Sequence, residues 1–494
     1  MILISLISKI TGYFRDATIT SQFGATFITD AYVIALLIPE VLFNIFGNSL
    51  TANFVPIYYE AERTNRHKRF LSTLFSLYLL LAAVIFILGY KNTNLLISIF
   101  SSGFTGLASQ TTAFLLKIFL FNIFFITITY FCLAYLQVNN RFLISSSIGV
   151  FYNLAVIGSM YLKGNASPLS VLIIGTILGY IAQFVIQLPK AITLGLPAPT
   201  WRISISPEIK NYIVLSLPVA ALAILGQVNI AMDNYFASRL GEGNITTLNL
   251  GYRVLMGIYS LLITNTMIII YPILSRSMIQ RYGEDTLAII QKITNWLIIL
   301  LVPLAAYLFI NAGTLIELMF RRGSFTAAQC DLTASVFRGY IVGLFFYAFR
   351  DLMVRYFFAE HSNLTILLNG VTNSVLNFIY LILFVPLIGL PGVSLATALS
   401  AISSSIILLI VVRIKAPIFR KLKVVKLVCA ILLASVLSVM LVELLMRNLG
   451  FLAEGSKTIN IMLTEGLEFL LFGLLYCSCF VIVFKKKIFG FLTK

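Results

Sequence analysis

Apolar stretches of about twenty residues or more recur along the whole chain, and each is long enough to cross a ~30 Å hydrocarbon core as a helix. Lipid leaves no partner for an unpaired backbone, so only helices or closed barrels can span it. Barrel strands alternate over roughly ten residues and do not produce long continuous apolar runs. The chain is therefore predicted to be an all-α polytopic membrane protein with about fourteen transmembrane helices. They fall near 2–23, 27–59, 70–90, 112–137, 141–163, 168–190, 211–237, 245–277, 284–311, 327–358, 363–386, 391–413, 424–447 and 459–486. Composition agrees: 60% of the residues are hydrophobic and 11% charged, too few charges to cover a soluble surface. The connections are short, so any chemistry must take place inside the bundle.

A net charge of +17 raises the question of nucleic acid, and the placement of the basic residues answers it. They gather in loops and tails of one face, as in Arg63, Arg66, Lys68 and Arg69, in Lys190, Arg202 and Lys210, in Arg413 to Lys426 and in Lys485 to Lys487. The opposite face carries few, among them Lys91, Lys163, Arg239, Arg321 and Arg322. That asymmetry is the positive-inside pattern and predicts both termini in the cytoplasm. The basic balance thus reflects topology and contact with anionic membrane lipids, with no nucleic-acid partner expected. The five cysteines show neither disulfide nor zinc spacing. The N-terminus lacks a basic segment and cleavage site and reads as a helix, not as a signal peptide.

Internal repetition gives the organisation. Arg15-Asp16 with Phe23-Gly24 is matched by Met232-Asp233 with Leu240-Gly241 at an offset of 217, Pro56 by Pro272 at 216, and Gly149 by Gly370 at 221. A steady offset argues for duplication. Since six spans is an even number, the copies enter the membrane in the same direction, as in transporters built from parallel repeats. The predicted parts are an N-terminal six-helix lobe (1–190), a cytoplasmic linker (191–210), a second six-helix lobe (211–413), and a basic linker with helices 13 and 14 (414–494).

Charges inside the spans are the candidates for function, because a charge at the bilayer centre costs about 2.5 to 3.5 kcal/mol on insertion scales. Arg15 in the first span and Arg253 in the eighth come from different lobes, and two guanidinium forks facing one cavity would suit a diphosphate. Lys9 and Lys117 would add charge. The alternative is internal pairing with Asp16, Asp30 or Glu40. A second set offers oxygen ligands at four-residue spacing: Asn229 and Asp233, Asn373 and Asn377, Val393 and Thr397. Each pair shares a helix face and suits a hard cation such as Na⁺; the alternative is interhelical hydrogen bonding. Nothing supports an enzyme: no nucleophile stands with a base, and neither a metalloprotease motif nor a phosphate loop is present.

FRDATITSQFGATFITDAYVIALLIPE followed by NFVPIYYE, then YFASRLGEGNITTLNLGYRVL and GSFTAAQCDLTASVFRGYIVGL, resemble the MurJ/MviN lipid II flippases of the multidrug/oligosaccharidyl-lipid/polysaccharide exporter superfamily. The likeness covers essentially the whole chain. It implies fourteen spans in two six-helix lobes with a final helix pair forming a lipid-tail groove. The implied cargo is undecaprenyl-diphosphate-linked peptidoglycan precursor, moved from the cytoplasmic to the periplasmic leaflet of the bacterial inner membrane, with cell-wall synthesis proteins as partners. Other polyprenyl-diphosphate oligosaccharides, or drugs exported against a cation, are the alternative cargoes. By resemblance Arg15 and Arg253 engage the diphosphate, Asp30 is the essential acidic residue, and Lys9 stands where an arginine is usual. Asp233, Asn373, Val393 and Thr397 resemble a sodium site in which Asn377 replaces a carboxylate. The second span departs further, reading PEVLFNIFGNSLT where relatives read PNLLRRIFAEGAF. Phe43 and Asn44 thus replace paired arginines, and Asn48 replaces a glutamate.

Overall fold

Helix α16 (Asn363–Ile388) shows how the sequence builds this molecule. Leu364, Leu368, Val371, Val375, Phe378, Ile379 and Ile382 recur at helical spacing and are exposed, whereas Asn369, Asn373 and Asn377 are buried on the other side. The apolar stripe meets lipid and the amides meet protein, the reverse of a soluble amphipathic helix. Exposed Leu80, Val84, Ile87 and Leu88 make the same kind of stripe on α3 (His67–Lys91).

The computed structural model describes residues 2–162, 167–200, 203, 205–280 and 284–415, with scattered positions between 431 and 476. All regular elements among them are helices. After α1 (Ile2–Phe23), α2 (Phe27–Arg63) and α3 come α4 (Thr93–Phe100), α5 (Gly106–Phe119), α6 (Asn122–Val138), α7 (Phe142–Tyr161) and α8 (Pro168–Thr193). The second copy holds α9 (Pro207–Ser238), α10 (Asn244–Tyr259), a π-turn at Ser260–Thr264, α11 (Asn265–Gln280), α12 (Glu284–Ile310), α13 (Ala312–Phe320), α14 (Ala327–Ile341), α15 (Leu344–Ala359), α16 and α17 (Leu390–Lys415). Eight of the described helices are long and apolar enough to cross a membrane, and ten when each bent pair counts as one span. The protein is an all-α polytopic membrane protein. The first twelve predicted spans coincide with these helices, whereas the thirteenth and fourteenth, with the basic linker before them, lie largely outside the described residues.

Two features missing from the sequence reading repeat in both copies. Short helices α4 and α13 precede the fourth and tenth spans, and each of those spans is bent, by 44° between α5 and α6 and by 41° between α14 and α15. The turns Gly103-Phe104-Thr105 and Gly323-Ser324-Phe325-Thr326 link each short helix to its bent span.

The described residues group into two compact units. The first runs to Leu250 and takes in Arg322–Thr326; the second runs from Gly251 to Arg321 and resumes at Ala327. Helix α9, which opens the second copy in sequence, belongs to the first unit. Its start is fixed by Ser206 and Pro207, the Ser206 hydroxyl accepting from the Ile209 amide as an N-cap with proline in the first turn. Its first half packs on α2 and α3. The Tyr78 and Tyr212 hydroxyls are 2.8 Å apart, Asn53 Nδ2 donates to the Leu215 carbonyl, and Arg66 lies 3.6 Å from Glu208. The linker joins the same surface, where the Ser72 hydroxyl donates to the Ala198 carbonyl and the Thr200 amide donates to Ser76.

Candidate functional site

Arg15 sits at the centre of the first unit's polar core. Its Nε and Nη2 donate to Asp16 Oδ1 at 3.0 and 2.7 Å, and its Nη1 donates to Asn153 Oδ1 on α7 at 3.1 Å. The guanidinium also lies over the Tyr152 ring, 5.3 Å from its centroid. Asn153 donates in turn to the Ser8 carbonyl and the Thr11 hydroxyl, which clamps α1 to α7. The predicted pairing with Asp16 is therefore present, yet 15% of the Arg15 side chain stays exposed. All three guanidinium nitrogens are engaged by an ion pair and an amide, and the group rests on an aromatic face. Lys9 lies half-buried nearly two turns earlier on α1.

The network continues through aromatic rings to a carboxylate. Tyr152 packs against Tyr180 of α8 with centroids 5.1 Å apart, and the Tyr180 hydroxyl donates to Glu40 Oε1 at 2.8 Å. Tyr32 reaches the Thr176 hydroxyl at 2.9 Å. Glu40 is exposed on α2, although it falls within a membrane-crossing segment.

Asp30, the acidic residue singled out by resemblance, is fully enclosed. Its Oδ2 accepts from the Gly243 amide at 2.6 Å, and its Oδ1 accepts from the Thr246 amide at 2.7 Å and the Thr246 hydroxyl at 2.6 Å. A carboxylate of α2 thus caps the start of α10, satisfying amides that have no partner within that helix and meeting the positive end of its dipole. Gly243 has φ +81°, and a Cβ there would run into the Ala25 carbonyl. Only glycine fits that turn.

Two further turns close on the same end of the first unit. The Gly103 amide donates to the Ser238 hydroxyl at the end of α9, and the Ser324 amide donates to the Ser21 carbonyl near the end of α1 at 2.8 Å. Gly323, with φ +55°, lies so close to Ser21 that a Cβ would meet its carbonyl oxygen. Each turn of one copy therefore docks on the helix end of the other. Ser21 and Ser238 stand at the repeat offset of 217.

Arg253 lies half-buried on α10 in the second unit. The oxygen set is divided, with Asp233 in the first unit and Asn373, Asn377, Val393 and Thr397 in the second. Within the second unit, Asn373 Oδ1 accepts from Arg350 Nη1 at 2.8 Å and from the Ser404 hydroxyl at 3.2 Å. The Val393 carbonyl accepts from the Thr397 hydroxyl at 3.2 Å. The Arg350 guanidinium thus holds the Asn373 oxygen that the sodium reading assigns to the ion. Among the described residues no group of three or more His, Cys, Asp or Glu side chains could hold a metal. Sequence reasoning missed Arg350 as the partner; its signal was an arginine inside an apolar span.

The departures in the second span now have positions. Phe43 is buried, its ring packed on Tyr130 of α6 with centroids 5.1 Å apart. Asn44 is half-buried and Asn48 is exposed.

Residues 19–464 match the sequence model of the family described as "Lipid II flippase MurJ". The chain belongs to the MurJ family. A MurJ-family relative from Burkholderia cenocepacia, described as "Lipid II flippase MurJ", is 25% identical over 424 residues, covering 83% of this chain and 82% of its own. Two proteins described as "Probable lipid II flippase MurJ" are similar. The one from Vibrio cholerae is 25% identical over 416 residues, 80% of this chain and 78% of its own, and the one from Aquifex aeolicus is 24% identical over 367 residues, 72% and 70%. A solved structure titled "Lipid II flippase MurJ, inward closed conformation" superimposes with a TM-score of 0.78 at 22% identity, covering 99% of this chain and all of its own. An inward-facing MATE-family multidrug transporter of the MOP superfamily reaches 0.67 at 14% identity, over 85% of this chain and 95% of its own. The shared fold therefore extends from MurJ to MATE transporters, and the family match separates the two.

Proposed function

We propose that this MurJ-family protein carries the undecaprenyl-diphosphate-linked peptidoglycan precursor, lipid II, from the cytoplasmic to the periplasmic leaflet of the bacterial inner membrane by alternating access. The observation that carries this reading is the family match over residues 19–464. The protein is a transporter, and its cargo leaves chemically unchanged. Desolvating a diphosphate in hydrocarbon would be prohibitive, so the head group must cross within a polar, cationic path. Support for a diphosphate contact at Arg15 comes from the part of its side chain that stays exposed and from the ion pair, amide and ring that hold its guanidinium. Lys9 on the same helix supplies further positive charge, and Arg253 stands as the arginine candidate of the second copy. The cluster formed by Asp30 and the two docked turns is the closure on the periplasmic side, and its release opens that side. The loop charges support termini in the cytoplasm.

The mechanism we propose takes no step through Na⁺, a choice supported by the Arg350 contact to Asn373. Membrane potential supplies about 2.3 kcal/mol per charge per 100 mV. Replacing Na⁺ by choline in a proteoliposome flux assay is expected to leave transport unchanged, and loss of transport would reinstate a coupling ion.

Rescue of a flippase-depleted bacterium tests the function. The wild-type chain should restore growth, and Arg15→Ala combined with Asp16→Asn, which removes the cation without stranding its partner, should not. A correctly inserted wild-type chain that neither restores growth nor moves lipid II in proteoliposomes would overturn the reading.

A further inference from the structure

Glu40, Asn44 and Asn48 stand four residues apart on α2 and so form one stripe along a helix face. All three fall in the membrane-crossing segment Phe27–Asn48. Glu40 and Asn48 are exposed and Asn44 is half-buried, while Ile38, Val41 and Phe43 of the same helix are buried. A carboxylate turned to hydrocarbon is heavily disfavoured, so this face opens onto a polar path. The stripe is built and not incidental, because Tyr180, only 4% exposed, donates its hydroxyl to Glu40 Oε1. Tyr180 is itself fixed against Tyr152, whose ring carries the Arg15 guanidinium. One connected wall therefore has a cationic end at Arg15 and an acidic and amide end on α2.

The chemistry of the second end excludes a diphosphate, since Glu40 would repel it. A carboxylate with two carboxamides offers several acceptors and paired N–H donors, which match a ligand rich in hydroxyl and amide groups. Resting on the function proposed above, we propose that Glu40, Asn44 and Asn48 form a subsite for the uncharged sugar portion of the cargo head group, with Tyr180 as the residue that positions Glu40. The wall then reads two parts of one molecule, the diphosphate at Arg15 and the sugar along α2.

The test compares two lipids on the purified full-length protein in nanodiscs: lipid II, and undecaprenyl diphosphate, which lacks the sugar. Glu40→Ala and the double variant Asn44→Ala with Asn48→Ala are each expected to weaken lipid II binding by about tenfold and to leave undecaprenyl diphosphate binding unchanged. Tyr180→Phe keeps the ring against Tyr152 and should lower the preference for lipid II by a smaller factor. Glu40→Gln, close in shape, guards against misfolding and should fall between wild type and Glu40→Ala. Equal losses for both lipids, or no loss for lipid II, would overturn the subsite. Failure of the wild-type protein to bind either lipid would count against the transport function itself, so the two ideas fail separately.

Discussion

The turn after α4 and the turn after α13 hold the same place in the two copies, and each docks on the end of a helix from the other copy. The first makes its bond through a side chain, Gly103 N–H to the Ser238 hydroxyl at 3.1 Å. The second makes its main bond through backbone alone, Ser324 N–H to the Ser21 carbonyl, with the Ser324 hydroxyl 3.4 Å from the Gln22 carbonyl. A dock between backbone groups survives side-chain change, whereas a dock on a hydroxyl does not. Asp30 adds a larger asymmetry. At the repeat offset its counterpart is Thr247, whose hydroxyl donates to the Gly243 carbonyl of its own helix start. Of this pair of equivalent positions, only Asp30 reaches from its own copy to a helix start of the other.

The strongest way to break this comparison is Asp30→Ala. It leaves two amides and a hydroxyl buried without an acceptor, at a cost above about 3 kcal/mol, and should abolish both the closed state and rescue of a flippase-depleted strain. Thr247→Ala should do neither, and an equal effect at both positions would erase the asymmetry. Next in size is Gly323→Val, which meets both the +55° φ and the Ser21 carbonyl and is expected to destabilise the fold by about 2 to 3 kcal/mol, read as a lower melting temperature in detergent. The smallest effect separates the two docks directly. Ser238→Ala should cost about 1 kcal/mol, whereas Ser324→Ala, which keeps its amide bond to Ser21, should cost less. The reverse order would show that the backbone dock is not the sturdier one.

Much of this could be seen in the sequence and some could not, for a physical reason. Lipid selects for apolar faces at helical spacing, so the first twelve spans could be read from local pattern, as could the buried amides of α16. Helices α4 and α13 were missed because eight and nine residues fall far below the length of a span. The charged residues were found as candidates, because charge in a span always calls for a reason. Apart from Arg15 with its neighbour Asp16, their partners were not, since Asp30 meets a turn 213 residues away and Arg350 meets an amide on a neighbouring helix. Spacing along one helix carries no information about which other helix stands opposite.

Phe43 also limits what this part of α2 can hold. Its ring lies in the interior against Tyr130, and its edge crowds the Cα side of Gly47, where a side chain would collide with it. An arginine placed here alone would bury a guanidinium among aromatic rings, so a cation at this point of the helix calls for Tyr130 and the backbone around Gly47 to change with it.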